Sequence, residues 1–351
     1  MEDNKEVLKK LSETTGVSGY EKNITSQVED IFKDYTDEIK YDNLGNLIAY
    51  KEGRAEDELK VMLAAHMDEI GLMVNQIEEE GFLRFTSVGG VDQRTLVGQE
   101  VIVLGEEELH GIIGAKPPHV QSASERSKAY KMEDMYIDLG LDAQEVKEQV
   151  RVGDVITVKR EFEELKNDRV TGKALDDRTG VLVMLTVLQE LADIEHQVDL
   201  YTVATVQEEV GVRGATTSTY GIVPDIGVAI DVCHGQMPGV SSEDAAELGG
   251  GAAIAFGPHV HPKLFSKLKE LAQENEIKSQ VEPSHTPRGT DTFAMQVTRA
   301  GIPTALISIP LRYMHTSVET VSLKDIKRAG RLLARFIREI DAEFVEGLEC
   351  F

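Results

Sequence analysis

The sequence predicts an α/β fold interrupted by a small β-rich insertion, and three observations lead there. Apolar runs such as VMLAA (Val61 to Ala65) are continuous enough to be strands buried on both faces. Helical periodicity alternates with such runs after Asp176. Between Leu72 and Val158 the texture changes to short β-rich pieces (FLRFTSV, QEVIVLG, LHGIIGA, DVITV) separated by Gly and Pro turns. At 351 residues the chain is long for one core, so two units are expected. Residues 1–70 and 165–351 form a discontinuous α/β unit, and residues 71–164 the insertion.

In chain order, Val7, Leu8 and Leu11, then Val28, Ile31 and Phe32, recur at helical spacing and predict two short opening helices broken at the GVSGY turn, Gly16 to Tyr20. Leu47 to Tyr50 and Val61 to Ala65 are strands. Inside the insertion one acidic helix is expected near Asp142 to Val150. The α/β unit then resumes with a helix from Gly180 to Leu191 and strands Val198 to Val206 and Ile226 to Ile230. Helices Lys263 to Glu274 and Thr290 to Arg299 and a strand Thr304 to Ile309 follow. A last helix starts at Ser322, where SLKD resembles a capping box, with Ile326, Leu333, Phe336, Ile337 and Ile340 on one stripe. There is no internal repeat or low-complexity linker.

Composition narrows the function. With 62 acidic against 37 basic residues the formal charge is -25, which repels phosphate backbones and anionic lipid and argues against nucleic-acid and membrane partners. The charged opening MEDNKEVLKK lacks the apolar core of a signal peptide, and no run reaches membrane-spanning length, so a soluble cytoplasmic protein is expected. Only Cys233 and Cys350 are present, which fits a reducing compartment and leaves any metal to His, Asp and Glu.

Those residue types cluster at predicted strand ends. His66 and Asp68 follow VMLAA, Glu208 and Glu209 follow YTVATV, Asp231 follows IGVAI, and His315 lies just beyond ALISIP. In open α/β sheets the crevice outside the carboxyl ends of the strands is where sites are built. Asp176 in GKALDDRTG adds a carboxylate, although Asp176 to Thr179 reads equally well as a capped helix start. A lone HxD or a Glu pair is weak evidence in so acidic a chain; the coincidence of positions is the argument.

Such a set suits two zinc-like ions, with one His and one carboxylate on each and one carboxylate bridging. His66, Asp231 and the bridge Asp176 hold one ion; Glu209, His315 and Asp176 hold the other. Asp68 is placed to accept the second ring N–H of His66 and fix its tautomer. Glu208, left without a metal, suits a general base that takes a proton from water and returns it to the leaving amine. His110, His119, His196, His234, His259, His261 and His285 read as structural or surface residues.

Seven ordered motifs carry a resemblance: AAHMDEIGLMV, GGVDQRTLVGQEV, GKALDDRTG, TVQEEVGVRGA, AIDV, RGTDTFAMQ and YMHTSVET. Together they resemble the tetrahedral, TET-type dinuclear metallo-aminopeptidases, a family that includes glutamyl aminopeptidases and members once labelled endoglucanase. The resemblance implies a zinc-peptidase-like (phosphorylase/hydrolase-like) α/β/α sandwich with an inserted β-barrel or PDZ-like domain used in oligomer contacts. It also implies a dodecameric tetrahedron built from dimers. It gives His66, Asp176, Glu209, Asp231 and His315 as metal ligands of two divalent ions, zinc or cobalt, with Glu208 as base and Asp68 behind the histidine. By the same resemblance Asp176 and Asp177 share a cis peptide, and Thr290 and Asp291 lie near the substrate. Two features depart from the pattern: family members have a basic residue within the stretch that here reads ELGGGAAIAF (Glu247 to Phe256), and Thr where this chain has Cys233.

The expected activity is metal-dependent removal of N-terminal residues from short peptides, the requirement for a free amine making it an exopeptidase. The alternative is a metal-dependent deacylase acting on N-acylated amines. A glycosidase needs two carboxylates flanking a sugar bond and no metals, which the histidines argue against. A non-enzymatic metal-assembly role leaves Glu208 without a purpose.

Overall fold

A computed structural model describes residues 4–55, 59–284 and 289–348. His285, Arg288 of the RGTDTFAMQ motif and Cys350 lie outside the described residues. The chain opens with helices α1 (Asn4–Glu13) and α2 (Lys22–Phe32), then strands β1 (Glu38–Tyr41), β2 (Leu47–Lys51) and β3 (Lys60–His66). Next come β4 (Gly71–Ile77), β5 (Leu83–Val88), β6 (Glu100–Leu104), β7 (Glu108–Ala115), helix α3 (Ala123–Arg126), β8 (Met135–Asp138), helix α4 (Ala143–Gln149) and β9 (Val155–Val158). β10 (Glu163–Leu165) and β11 (Arg169–Gly172) lead into α5 (Leu175–Glu190), β12 (Asp199–Thr205), α6 (Arg213–Ile222) and β13 (Ile226–His234). Then follow β14 (Ala252–Phe256), α7 (Pro262–Glu274), β15 (Ser279–Pro283), α8 (Asp291–Gln296), β16 (Thr304–Leu311), β17 (Glu319–Ser322), α9 (Leu323–Glu339) and α10 (Ala342–Glu346).

Eight strands form one mixed sheet in the order β1-β2-β12-β3-β13-β16-β14-β15, whose four central strands are parallel. The run VMLAA shows why this sheet lies inside. Its alternate residues serve two cores: Val61, Leu63 and Ala65 pack with α5 residues such as Leu182 and with Leu332 and Phe336 of α9, while Met62 and Ala64 pack with Val203, Ala229 and Met295 on the other face. The result is an α/β/α sandwich. Helix α5 is buried from Leu175 to Leu188, as expected of a helix apolar all round.

Between β3 and β10, strands β4-β5-β8-β7-β6-β9 close into an antiparallel barrel around its own core, which includes Val74, Phe85, Val101, Ile113, Ile137 and Ile156. Closure leaves no open strand edge. The acidic helix α4 is fixed by a capping box, Asp142 accepting the N–H groups of Gln144 and Glu145 while Glu145 accepts that of Asp142. A third sheet, β10-β11-β17, borders the sandwich. Among the described residues no helix is long and apolar enough to cross a membrane.

Several expectations differ from the fold in detail. Ser322 ends strand β17 and gives α9 no side-chain cap; the first amide of the helix, Leu323 N–H, donates instead to Asp168 O at 3.0 Å. Asp325, the acid of the SLKD stretch, instead accepts Gly249 N–H at 2.6 Å and Gly251 N–H at 2.8 Å. The glycines of ELGGG are thus anchored, and Gly251 (φ 94°) admits no side chain, since a Cβ there would lie 1.8 Å from Lys278 O. The helix expected from Thr290 to Arg299 spans only Asp291–Gln296, ending in turns through Arg299 (φ 52°) and Gly301 (φ 101°). Helix α5 begins five residues earlier than Gly180, with non-helical backbone at Asp176 and Asp177.

Candidate active site

Four adjacent central strands deliver the polar cluster. β3 ends on His66, Glu208 and Glu209 follow β12, Asp231 lies in β13, and His315 follows β16. Asp176 arrives from the start of α5, where the Asp176–Asp177 peptide is cis. All are withdrawn from solvent except His315, whose side chain is 33% exposed and so faces the entrance.

Asp176 is the centre of this geometry. Its Oδ1 lies 3.1 Å from His66 Nε2 and its Oδ2 3.4 Å from His315 Nε2, which in turn is 3.3 Å from Glu209 Oε1. Donor atoms of His66, Asp176 and Glu209 fall within 4.8 Å of one another, as do those of His66, Asp177 and Asp231. Asp177, to which the sequence assigned no metal, therefore stands beside Asp231. The two aspartates divide the competing readings of the DDRT turn: Asp177 Oδ1 caps the helix by accepting Gly180 N–H at 3.0 Å, and Asp176 faces the histidines.

Behind this cluster lie groups the sequence did not single out. Glu319 accepts the N–H of His315 at 2.8 Å through Oε1 and that of Asp176 at 3.1 Å through Oε2. Gly90, in the turn after barrel strand β5, offers its carbonyl to His315 Nδ1 at 3.1 Å. Both belong to motifs quoted above, YMHTSVET and GGVDQRTLVGQEV, but only the fold shows what they touch. Asp68 works differently from the expectation. His66 Nδ1 is 3.1 Å from the Asp68 backbone carbonyl and 3.6 Å from its carboxylate. That carboxylate accepts Ser18 Oγ–H at 2.5 Å and the N–H groups of Glu208 and Glu209 at 3.0 and 3.2 Å.

So many buried carboxylates are electrostatically expensive. Burial, with Asp231, Asp291 and Glu209 nearby, pushes Glu208 up to about 10. Burial likewise holds Asp177 and Asp231 well above the carboxylate range. Asp176 and Glu209 raise His315 to about 11, and the two histidines keep Asp176 low against the effect of burial. Buried Glu208 Oε1 and Asp177 Oδ2 have no hydrogen-bond partner. A surplus of inward-facing carboxylates with two imidazoles and no thiol is the donor set of divalent cations such as zinc, which fits the cluster and would neutralise it.

A family model for M42 glutamyl aminopeptidase matches residues 45–332, a span containing every residue of this cluster. The chain belongs to the M42 glutamyl aminopeptidase family. It is a metal-dependent aminopeptidase, a hydrolase of peptide bonds. The M42 chain is 40% identical over 340 residues to the lysyl aminopeptidase of Pyrococcus furiosus, covering 95% of this chain and 97% of that one. Among solved structures it resembles the TET aminopeptidase of the marine sediment archaeon Thaumarchaeota archaeon SCGC AB-539-E09, with a TM-score of 0.93, 34% identity and 99% of both chains covered. It also resembles the TET1 peptidase of Pyrococcus horikoshii, described as assembling into a tetrahedron or a large octahedral shell (TM-score 0.85, 33% identity, 96% of this chain and 100% of that one). The deacylase alternative gains no support from relatives named for aminopeptidase or peptidase activity.

In this M42 chain Asp291 is buried, its Oδ2 accepting Thr205 Oγ1–H at 2.6 Å at the end of β12, and burial raises it to about 6. Thr290 precedes it as the N-terminal boundary of α8. The other described histidines stand apart from the cluster's hydrogen bonds: His110, His119 and His234 are exposed, His196 Nδ1 lies 2.8 Å from Val198 O, His261 caps α7, and His259 is buried.

Proposed function

We propose that this cluster would hold two divalent ions, zinc or cobalt: His66, Asp231 and Asp176 would hold one, and Glu209, His315 and Asp176 the other. Glu208 is the general base, and Asp68 positions it. The reading rests on one observation: the two carboxylate oxygens of Asp176 face different histidines, at 3.1 and 3.4 Å, as a bridging ligand requires. When bound, the ions supply Lewis acidity to the scissile carbonyl and to the attacking water. Glu208 accepts a proton from water as the new C–O bond forms, and returns it to the departing amine as the C–N bond breaks. Thr290 and Asp291 line the substrate side, with Asp291 near enough to Glu208 to act on its charge.

The substrates are short peptides with a free amino terminus. Residues 1–70 and 165–351 form the catalytic unit, and residues 71–164 an inserted unit used in assembly. The particle is a dodecameric tetrahedron built from dimers, a reading supported by similarity to the Pyrococcus horikoshii peptidase, which assembles into a tetrahedron or a large octahedral shell, and to a related chain described as a dodecamer. A cytoplasmic location fits the use of only two cysteines. The decisive experiment compares hydrolysis of an unblocked dipeptide with its N-acetylated twin, each with zinc or cobalt and after chelation. Metal-dependent cleavage of the free peptide alone is expected. Cleavage of the acetylated twin would replace this reading with a deacylase.

A further inference from the structure

Strand β12 ends at Thr205, which pairs with His66, the last residue of β3; on its other side Ala204 pairs with Leu47, the first residue of β2. Past that point no strand runs alongside to accept backbone N–H groups, and a buried amide without an acceptor costs about 1–3 kcal/mol. Side chains from three other segments take over. Asn46 Oδ1 accepts Val206 N–H at 2.9 Å, Glu21 Oε1 accepts Gln207 N–H at 3.1 Å, and the Asp68 carboxylate accepts Glu208 N–H and Glu209 N–H at 3.0 and 3.2 Å. Four successive amides are thus gripped from outside their own strand.

The middle of this run is where the chain changes direction. Gln207 has φ 55°, in the left-handed region, so the alternation of a strand is broken just before the two glutamates. Glu21 is 7% exposed and accepts at that turn; its Oε1 also takes Gly19 N–H at 2.7 Å, which ties it into the GVSGY loop. Glu208 Oε1, by contrast, is buried and accepts no hydrogen bond. The backbone that bears it therefore fixes its direction.

We infer that Glu21 is a positioning residue for Glu208: by holding the left-handed turn at Gln207, it sets the direction in which the base enters the site. The inference rests on Glu208 being the base. Glu21 makes no hydrogen bond to any of the five proposed metal donors, and Glu209, further along the same turn, keeps its own anchors at the Asp68 carboxylate and the His315 ring, so the loss of Glu21 should leave both metals in place.

The test is steady-state kinetics with metal analysis. Glu21→Ala is expected to lower kcat about 10- to 100-fold, the scale of a small misplacement of a reacting group, with KM and metal stoichiometry unchanged. Glu21→Gln, which keeps an acceptor oxygen, should recover most of the rate. Unchanged kcat in the Ala variant, a loss expressed in KM or metal content, or an equal loss in the Gln variant would overturn the inference. Should Glu21→Ala not fold, Glu21→Met against Glu21→Gln presents the same contrast at matched volume, with the same reading. Glu208→Gln separates this from the parent assignment. If Glu208→Gln alone keeps full activity, the base assignment fails; if it abolishes activity and Glu21→Ala does nothing, only the positioning role fails. In the double variant, Glu21→Ala should add no further loss.

Discussion

Lys173 and Glu69 form a buried ion pair, Nζ lying 2.7 and 2.9 Å from the two carboxylate oxygens, with both side chains at most 6% exposed. Glu69 also accepts Gly16 N–H from the loop after α1 and Thr157 Oγ1–H from barrel strand β9. Removing one partner leaves a buried charge uncompensated. Lys173→Met is therefore expected to cost roughly 3–5 kcal/mol in urea unfolding, while Lys173→Met with Glu69→Gln costs clearly less. Equal losses in single and double variants would show that the charge is not what matters.

Glu208→Gln preserves shape and removes the proton acceptor. A fall in kcat of about 10²- to 10⁴-fold is expected, with two metals still bound by elemental analysis. Full activity with both metals present would place the base elsewhere.

Chelation should abolish hydrolysis and lower the Tm, because the ions offset the repulsion among buried carboxylates. Added zinc or cobalt should reverse both effects, with about 2.7 kcal/mol of stabilisation at a metal concentration 100-fold above Kd. An unchanged Tm after complete metal removal would contradict this reading of the cluster.

The same carboxylates give the metal-free protein a distinctive pH dependence. Burial holds Glu208 up to about 10 and Asp231 and Glu319 well above their usual range, while Asp176 and Glu209 hold His315 up to about 11. Each binds its proton more tightly folded than unfolded. Their contribution to stability is complete below the unfolded values, about 4 for the carboxyls and about 6.5 for His, and is lost as pH rises toward the folded ones. Asp176, held low, adds no slope above its ordinary range. The metal-free Tm should fall between about pH 6 and 9 and the loaded Tm much less; parallel profiles would refute this.

Gly90→Ala tests the histidine support. An added Cβ would lie 2.8 Å from His315 Nδ1 and 3.0 Å from Cε1, closer than the ring can tolerate. The variant is expected to bind the metal on His315 at least tenfold more weakly, a typical loss when the support of a ligating histidine is disturbed. Unaltered affinity would mean that the ring has room to give.

Much of the site was legible because strand ends are marked in sequence by an abrupt stop in apolar runs. VMLAA before His66 announces it directly; IGVAI points to Asp231 as well, although that strand does not stop there as expected but runs on to His234. What was illegible came from contacts between distant segments. Nothing near Glu319 in sequence says that its two oxygens serve Asp176 and His315, 143 and 4 residues away. The Asp177 cap and the Asp176 contact could not be separated either, since adjacent aspartates read alike until the backbone between them is known. Strand β8 is only the four residues MYID, and the apolar stretch of β4 (Leu72 to Val74) gives way to Asn75 and Gln76 after three residues, so neither run is long enough to stand out before the barrel closes.

The hydrogen bond from His315 to the Gly90 carbonyl joins two bodies with separate cores, since Gly90 follows a barrel strand and His315 a strand of the sandwich. The histidine is therefore seated against a wall that belongs to the other body. The Gly90 carbonyl travels with the barrel, so the seat of this one histidine depends on where the barrel lies against the sandwich.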